Sequence, residues 1–543
     1  MSGRRGFARG ISRREFLGAT AVLAGSVSPP RRAIAAPAPD IVVDVHCHTF
    51  NEKDLPVTGF VAHYVQGGAL SDVSREVTPL PEAVVRRVLR WARGKVENNV
   101  PEAESEISTL LPALFGGDPV VGVNPLPAAD LQKASDGILG KLTTSTFLKS
   151  MAGAVERLSY ALYVVCHDHA KVAATISRTY PSVSLFVPLL VDFDAWSSDA
   201  PVTPLALQIQ LHELVSKLAI RGKIGNGKAL FHPFMAFDPL REVNVNLRQD
   251  PVVYKPYGDD RVFTPDAPYP CAAPLPADPT PWTQPRPVAA ARGSMALVRH
   301  AVEQAGFIGV KLYPPVGFSA LGNVNWNPSR DLGGRLDLAL QALYAYCQAE
   351  DVPIAAHANA SNSFALGYGE LAGPEGWARA LEQYPHLRLN LGHFGELHGV
   401  TRDRGIRGCE AWMRQAAVLM DTYPNVYADF SDSSAVHDDA FADRYFGHLS
   451  ELFDKHPKAA GRVMYGSDWW LNTIDPSSEK AVDRLQGFLE TRFGAKVRGD
   501  IMGRNALRFL GFSGPDDRPA ASGNQRRLLA FYGQEKPPSW LKR

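Results

Sequence analysis

Eight short apolar runs constrain the fold of this chain more than any other feature of its sequence. They are rich in β-branched residues and are separated by longer stretches with helical periodicity. The runs cover residues 41–48, 185–192, 229–238, 308–314, 353–358, 387–393, 426–430 and 463–468. A strand followed by a helix, repeated eight times, predicts an α/β fold in which helices ring a closed parallel (β/α)8 TIM barrel. The same pattern leaves an open, doubly wound sheet as the alternative.

Helices between the later strands are predicted at residues 296–305, 336–350 and 411–423. Two insertions interrupt the regular pattern. Amphipathic stretches within residues 50–180 predict a helical insertion beside the barrel mouth, after the first strand. Eleven prolines between residues 251 and 287 exclude a regular helix or central strand, so residues 243–290 are predicted to form a Pro-rich surface loop. The barrel then takes up residues 40–512, and residues 513–543 form a polar tail whose patch at 526–532 can dock back.

The first 35 residues have the pattern of an export signal. Arg13 and Arg14 precede a short apolar run at 16–27 and then small residues, which resembles a twin-arginine signal. That run is too short to span a bilayer as a helix, although a retained membrane anchor is the alternative. Residues 1–35 therefore predict an exported protein, periplasmic or extracellular, with no membrane attachment after cleavage.

Loss of this segment, with its seven arginines and one glutamate, changes the formal net charge from +1 to −5. A mildly acidic protein without a basic stripe has no electrostatic attraction for nucleic acid or anionic membranes, so a small-molecule substrate is expected. The five cysteines are scattered and include no C-x-x-C pair, which argues against a disulfide framework. The sequence is also compatible with a homo-oligomer.

Four of the eight runs end in residue types that bind metals. His46 and His48 lie two apart at the end of the first run, so a strand places both imidazoles on one face. His357, His393 and Asp468 end the fifth, sixth and eighth runs. The C-terminal strand ends of a barrel converge on one mouth, so these side chains are predicted to be neighbours. Taken singly, each histidine can equally be a core residue, and Asp468 can be a helix N-cap.

The order of these residues resembles the amidohydrolase superfamily, specifically its amidohydrolase-related branch, which includes aminocarboxymuconate-semialdehyde decarboxylase. Three further motifs resemble the same branch and stand in the fourth run, the eighth run and the closing helix. They are Gly309-Val-Lys-Leu-Tyr-Pro-Pro, Tyr465-Gly-Ser-Asp468-Trp and Met502-Gly-Arg-Asn-Ala506. The resemblance covers roughly residues 40–512 without the insertions, and it identifies the superfamily better than the substrate.

The resemblance implies a role for each matching residue. His46, His48 and His357 would bind the metal, and Asp468 would be a ligand or the proton acceptor. His393 would stand beside the metal and polarise the substrate or stabilise a developing anion. Imidazole and carboxylate ligands suit a divalent ion, with zinc and a single ion favoured. Lys311 is open: if carbamylated it would bridge two metals, and otherwise it has a structural role or contacts a substrate carboxylate.

Three functions follow from this reading. The first is a metal-dependent hydrolase that cleaves an amide, ester or lactone of a small organic molecule with metal-activated water. The second is a non-oxidative decarboxylase of an aromatic or unsaturated acid, which would use the same ligands. The third is an exported binding protein without catalysis, which the intact ligand set argues against.

Other histidines and aromatic residues are weaker candidates. His167 and His169 lie two apart, but in a stretch at 154–179 with helical periodicity, where such positions diverge, so they are not predicted as ligands. His232 stands near the start of its run and therefore at the opposite end of the barrel. Five aromatic residues flank the predicted mouth and suit a planar substrate, although packing explains them equally: Tyr313, Phe318, Phe394, Trp469 and Trp470.

Overall fold

The structure is a computed structural model. It describes residues 41–55, 100–115, 167–196, 200–249, 280–288, 293–327, 330–360, 363–364, 367–395, 409–431, 439–469, 478–512 and 522–541. The predicted export signal at 1–35 lies outside these residues, as do most of the predicted insertion at 50–180 and the Pro-rich segment at 251–279.

Each of the eight predicted runs contains a strand. The strands are β1 (Val43–Cys47), β2 (Leu185–Pro188), β3 (Leu230–Phe231), β4 (Phe234–Ala236), β5 (Gly309–Leu312), β6 (Ile354–His357), β7 (Leu389–Gly392), β8 (Val426–Asp429) and β9 (Val463–Met464). The third run forms two strands because it is interrupted at His232 and Pro233. Pro233 has no N–H to donate to a neighbouring strand, which explains the break.

All strand pairs are parallel and follow the order of the chain. β1, β2 and β3 form one sheet, and β4 to β9 form a second. A single parallel pairing of Leu189 with Phe234 lies between β2 and β4, and another pairs Cys47 with Trp469 beyond the ends of β1 and β9. The predicted α/β architecture with parallel strands is therefore confirmed.

Helices separate the strands along the chain. The α-helices are α1 (Ala103–Leu110), α2 (Pro112–Phe115), α3 (His169–Thr179), α4 (Leu205–Ile220), α5 (Pro239–Gln249), α6 (Ser294–Gln304), α7 (Asn323–Trp326), α8 (Arg330–Ala349), α9 (Pro374–Gln383), α10 (Cys409–Thr422), α11 (Asp439–Lys455), α12 (Ala481–Gly499), α13 (Asn505–Leu510) and α14 (Gly523–Tyr532). The helices predicted at 296–305, 336–350 and 411–423 correspond to α6, α8 and α10. α5 reaches into the predicted loop at 243–290, of which residues 280–288 contain neither helix nor strand.

Almost every strand residue is buried, on both faces of the sheets. This burial is expected of parallel strands that are covered by helices. Cys47 and Cys347 are buried free thiols in the described part of the chain. Among the described residues, none of the helices combines the length and apolar character needed to cross a bilayer.

α14 packs against the end of the strands opposite to the predicted ligands. Phe531 and Tyr532 are buried, and the Tyr532 hydroxyl lies 3.2 Å from His232 Nε2. His232 Nδ1 lies 3.3 Å from the Gly306 carbonyl. His232 is thus a buried histidine with structural partners, and it lies between β3 and β4.

Candidate metal centre

Three of the predicted ligands meet at the carboxyl ends of the first and last strands. His46, His48 and Asp468 are buried, and their ligand atoms all lie within 4.8 Å of one another. Asp468 Oδ1 is 3.0 Å from His48 Nε2 and 3.8 Å from His46 Nε2. Ligand atoms around a tetrahedral zinc ion lie about 3.4 Å apart, given bonds of about 2.0–2.2 Å. The spacing therefore fits one ion of this kind.

The outer nitrogen of each imidazole is already occupied. His46 Nδ1 donates to the Asp429 carboxylate at 3.0 Å, and His48 Nδ1 donates to the Leu189 carbonyl at 2.9 Å. Both Nε2 atoms consequently face Asp468. A carboxylate oxygen 3.0 Å from an imidazole nitrogen requires a cation between them, which is either a proton or a metal ion. Such support of the non-ligating nitrogen is typical of metal-binding histidines.

Backbone hydrogen bonds hold these ligands together. Asp468 N donates to the His46 carbonyl at 2.7 Å, and His48 N donates to the Trp469 carbonyl at 3.0 Å. Asp468 has φ 50°, and His393 has φ 64°. Left-handed backbone is rare for residues other than glycine and concentrates at functional sites. The backbone at Asp468 and His393 is therefore not extended, so their side chains point in directions that a regular strand would not give.

His357 and His393 lie beside this group of three. His357 Nδ1 is 3.0 Å from His393 Nε2, and the His393 ring centroid is 4.8 Å from that of His46. His393 Nδ1 faces the Ser431 hydroxyl at 3.0 Å and the Ser431 carbonyl at 3.3 Å. With the proton on His393 Nδ1, His357 Nδ1 donates to His393 and its Nε2 keeps a lone pair. That Nε2 is buried and has no hydrogen-bond partner among the described residues.

A buried polar nitrogen without a partner is costly, and a metal ion can satisfy it. His357 does not belong to the group whose ligand atoms lie within 4.8 Å of one another. Of the four predicted ligands, His46, His48 and Asp468 therefore form one group, and His357 lies beside it. The unsatisfied nitrogen of His357 and the donor chemistry of the other three residues both fit a divalent metal.

Lys311 points into the same site. Its Nζ is 3.3 Å from His46 Nε2, and the side chain is buried. Burial lowers the pKa of Lys311 to about 8, although Asp429 and Asp468 oppose this effect. Lys311 therefore lies within contact distance of one of the proposed ligands.

The electrostatics favour neutral histidines and ionised acids. Burial lowers the pKa of His393 to about 4 and the pKa of His357 well below its usual range. Burial alone would raise the pKa of Asp468. The hydrogen bond with His48 and the proximity of His46 and His393 outweigh burial, so the pKa of Asp468 falls well below its usual range. Neutral imidazoles and an ionised carboxylate are the forms that bind metals.

Asp429 is a site residue that the sequence reasoning missed. Its buried carboxylate accepts hydrogen bonds from His46 Nδ1 at 3.0 Å, Asn390 Nδ2 at 2.6 Å, His393 N at 3.2 Å and Ser431 N at 3.0 Å. Asp429 thus orients a proposed ligand and the neighbouring histidine together. Its position at the end of β8, next to the strand ends that carry His393 and Asp468, was the available signal.

Two glycines leave room for the His46 side chain. A β-carbon at Gly392 would lie 2.9 Å from His46 Cε1, and one at Gly466 would lie 2.7 Å from His46 Cβ. Real β-carbons do not approach other atoms so closely. The His46 side chain is therefore confined by the end of β7 and by the segment after β9, and its position is set by backbone packing.

The weaker candidates have different outcomes. Phe318, Phe394 and Trp469 are almost fully buried, which is the packing role. Tyr313 packs against His357 with ring centroids 4.4 Å apart and the ring planes tilted by 33°, so it contacts the site. Trp470 lies outside the described residues. His169 begins α3 after the N-cap Asp168, so His167 lies before the helix that was predicted to contain both histidines.

Comparison with known protein families gives a match in the second half of the chain. Residues 276–512 match the family model described as amidohydrolase. No curated protein sequence matches the chain. This match agrees with the resemblance to the amidohydrolase superfamily found in the sequence.

Several solved structures are similar at low identity. A zinc-bound amidohydrolase from Burkholderia multivorans is 13% identical, with a TM-score of 0.35 over 64% of this chain and 91% of that one. A putative metal-dependent hydrolase from Lactobacillus casei is 13% identical, with a TM-score of 0.34 over 87% of this chain and 96% of that one. An uncharacterised TIM-barrel protein from Bordetella bronchiseptica is 15% identical, with a TM-score of 0.33 over 72% of this chain and 95% of that one. Because these TM-scores are below 0.5, only the family match over residues 276–512 supports the resemblance to amidohydrolases.

Gly466→Ala is expected to weaken metal binding because the new methyl group would overlap His46 Cβ and push the two strand ends apart. Overpacking of this kind costs about 1–3 kcal/mol of stability. We expect the zinc Kd, measured by isothermal titration calorimetry, to rise by at least about tenfold, as for other disturbed ligand supports. Gly461→Ala is the matched control, since a β-carbon there meets nothing within 4 Å. Equal zinc affinity in both variants would contradict the confinement of His46.

Asp429→Asn is expected to raise the zinc Kd by about 10–100-fold, the usual effect of removing a carboxylate that orients a metal-binding histidine. Asparagine offers one acceptor oxygen to donors that face both carboxylate oxygens, and its amide would face at least one donor. Calorimetric titration with zinc gives the measurement, and Asp454→Asn, at an exposed position, is the control. Unchanged zinc binding in Asp429→Asn would show that Asp429 does not orient His46.

Proposed function

We propose that the strands close into a (β/α)8 barrel whose mouth carries one metal centre. The support comes from the hydrogen bonds that join the first and last strand regions, including Val45 N to the Tyr465 carbonyl at 3.1 Å. The pairing of Leu189 with Phe234 supports continuity between the two sheets in the same way. In such a barrel the chemistry lies at the C-terminal strand ends, where His46, His48 and Asp468 stand.

We further propose that the chain is a metal-dependent hydrolase that cleaves an amide, ester or lactone bond in a small organic molecule. One observation carries this proposal. Three buried ligand groups meet within bonding distance of a single ion, and the unsatisfied His357 nitrogen lies next to His393 beside them. His46, His48 and Asp468 would hold the ion, with His357 as the fourth ligand. The donor set of imidazoles and a carboxylate favours zinc.

When bound, a divalent ion acts as a Lewis acid that acidifies water and polarises a substrate oxygen. Asp468 is ionised and can accept a proton from the attacking water and return it to the leaving group. His393 is neutral and is oriented through Ser431, so it can stabilise negative charge on a substrate oxygen. Asp429 holds His46 and the backbone of His393 in place for these roles. The residues together provide a proton acceptor and an anion-stabilising group for hydrolysis.

A second candidate, non-oxidative decarboxylation, is favoured by the position of Lys311. A buried ammonium group 3.3 Å from His46 Nε2 can pair with a substrate carboxylate in the same site. The two reactions give different products. Assays on lactones and on aromatic acids, with carbon dioxide release followed in parallel, separate them.

The predictions about location and partners remain part of the proposal. The arginine-rich signal at 1–35 supports export to the periplasm or beyond, with a small-molecule substrate and no membrane attachment after cleavage. The formal charge after cleavage supports neither nucleic-acid nor anionic-lipid binding. A homo-oligomer is compatible with the same features.

Elemental analysis of protein purified without chelators is expected to give one zinc equivalent per chain, because one group of ligands is close enough to share an ion. Two equivalents would support the alternative in which a carbamylated Lys311 bridges a pair of ions. The His48→Ala variant serves as the control and should lose the metal. Absence of any divalent metal in active protein would overturn the proposal.

Asp468→Asn is expected to lower kcat by roughly 10²–10⁴-fold, the usual contribution of a positioned proton acceptor. Asparagine tolerates left-handed backbone, so the fold at φ 50° is retained. The measurement is steady-state kinetics on a cleaved ester or lactone, with circular dichroism to verify folding. Asp454→Asn, at an exposed position, should keep full activity. Full turnover by Asp468→Asn would remove Asp468 from the role of proton acceptor.

A further inference from the structure

His169 forms a buried cluster with two acidic residues. Its Nε2 is 2.7 Å from Asp54 Oδ2, and its Nδ1 is 3.0 Å from Glu106 Oε2. Its backbone N also donates to Glu106 Oε1 at 2.7 Å. All three side chains are at most 2% exposed. They come from the turn Glu52–Asp54, from α1 and from the first residue of α3, so the cluster joins three separate parts of the chain.

The geometry determines the charge of His169. Ionised carboxylates only accept hydrogen bonds, so an imidazole between two of them carries a proton on each nitrogen. Among the described residues, the group able to share a metal ion consists of His46, His48 and Asp468, and His169 is not part of it. Burial opposes the charge, but Asp54 and Glu106 outweigh it and raise the pKa of His169 well above its usual range.

The neighbouring histidine is neutral. His212 in α4 packs edge-on against His169 with ring centroids 5.1 Å apart. Its Nδ1 donates to the Gln208 carbonyl at 2.9 Å, so its Nε2 can accept from the Thr49 hydroxyl at 3.2 Å. Burial and the positive charge of His169 lower the pKa of His212 to about 4. The charged and titratable groups facing His169 are thus Asp54, Glu106 and neutral His212.

The cluster fixes the segment that directly follows His48. Thr49 is bonded to His212, and Asn51 N donates to Asp54 Oδ2 at 2.8 Å. The Asp54 carbonyl accepts from Gln208 Nε2 at 3.0 Å. These bonds connect residues 49–54 to the His169 cluster and to α4, while Lys53 is held separately by Thr203 N at 2.8 Å and by Glu102 at 2.8 Å.

We propose that His169 is a permanently charged positioning residue that fastens α1 and α3 to the segment after His48 and so sets the place of that ligand. The charge of the cluster is independent of any metal. The effect on metal binding rests on the proposed function.

The charge is tested on the full chain by NMR of the imidazole nitrogens, with His169 assigned from the spectrum of His169→Gln. We expect both His169 nitrogens to stay protonated from neutral pH to well above the ordinary histidine pKa of about 6.5. A neutral His169 at neutral pH would overturn the proposal. This readout needs no metal, so it decides the charge even if the chain binds none.

The positioning role is tested by zinc titration of His169→Gln, Glu106→Gln and the double variant. His169→Gln leaves two buried carboxylates without a counter-ion, and we expect its zinc Kd to rise by about tenfold or more. The double variant removes one of those carboxylates and should recover part of the loss. Glu106→Gln keeps the pair of Asp54 with His169, so it should remain folded and show the smallest change.

His456→Gln is the matched control, because His456 also pairs with an acid, Asp421, at 2.7 Å, and neither residue belongs to the group of proposed ligands. It should bind zinc with unchanged affinity. Wild-type affinity in folded His169→Gln, or no recovery in the double variant, would overturn the positioning role. If the wild-type chain binds no zinc, the proposed function and the positioning role both fail, whereas the NMR result on the charge stands.

Discussion

The backbone pairing between the first and last strand regions is the constraint on which the site depends. Asp468 N bonds to the His46 carbonyl at 2.7 Å, although the two residues lie more than four hundred positions apart in the sequence. These backbone bonds place the Asp468 carboxylate opposite the imidazoles of His46 and His48. The pairing therefore joins the first strand directly to the segment that follows the last strand.

Residues around this pairing fix the orientation of the two imidazole ligands. Asp429 and the Leu189 carbonyl fix which nitrogen of each imidazole faces inward. Gly392 and Gly466 pack so closely against His46 that a side chain at either position would overlap it. Two features therefore pre-organise the site. Hydrogen bonds to Asp429 and to the Leu189 carbonyl orient the imidazoles, and close backbone packing confines His46. Such support reduces the reorganisation that metal binding requires.

The sequence predicted the strands well because each is a local run of apolar, β-branched residues, and it located the candidate ligands because parallel strands must end at one edge. It could not show that His357 lies outside the group formed by His46, His48 and Asp468, since that depends on the packing of side chains. Asp429 was missed because an acid at a strand end resembles an ordinary cap. The role of His169 depends on Asp54 and Glu106, whose proximity no local pattern records.

The left-handed backbone of His393 and Asp468 has a consequence for protein design. A designer who transfers this set of side chains to an idealised barrel, whose strands end in regular extended geometry, would aim both groups in the wrong direction. The irregular residues at the two strand ends must be transplanted with the side chains they carry. A design must therefore copy the backbone conformation at His393 and Asp468, because the residue types alone do not reproduce the site.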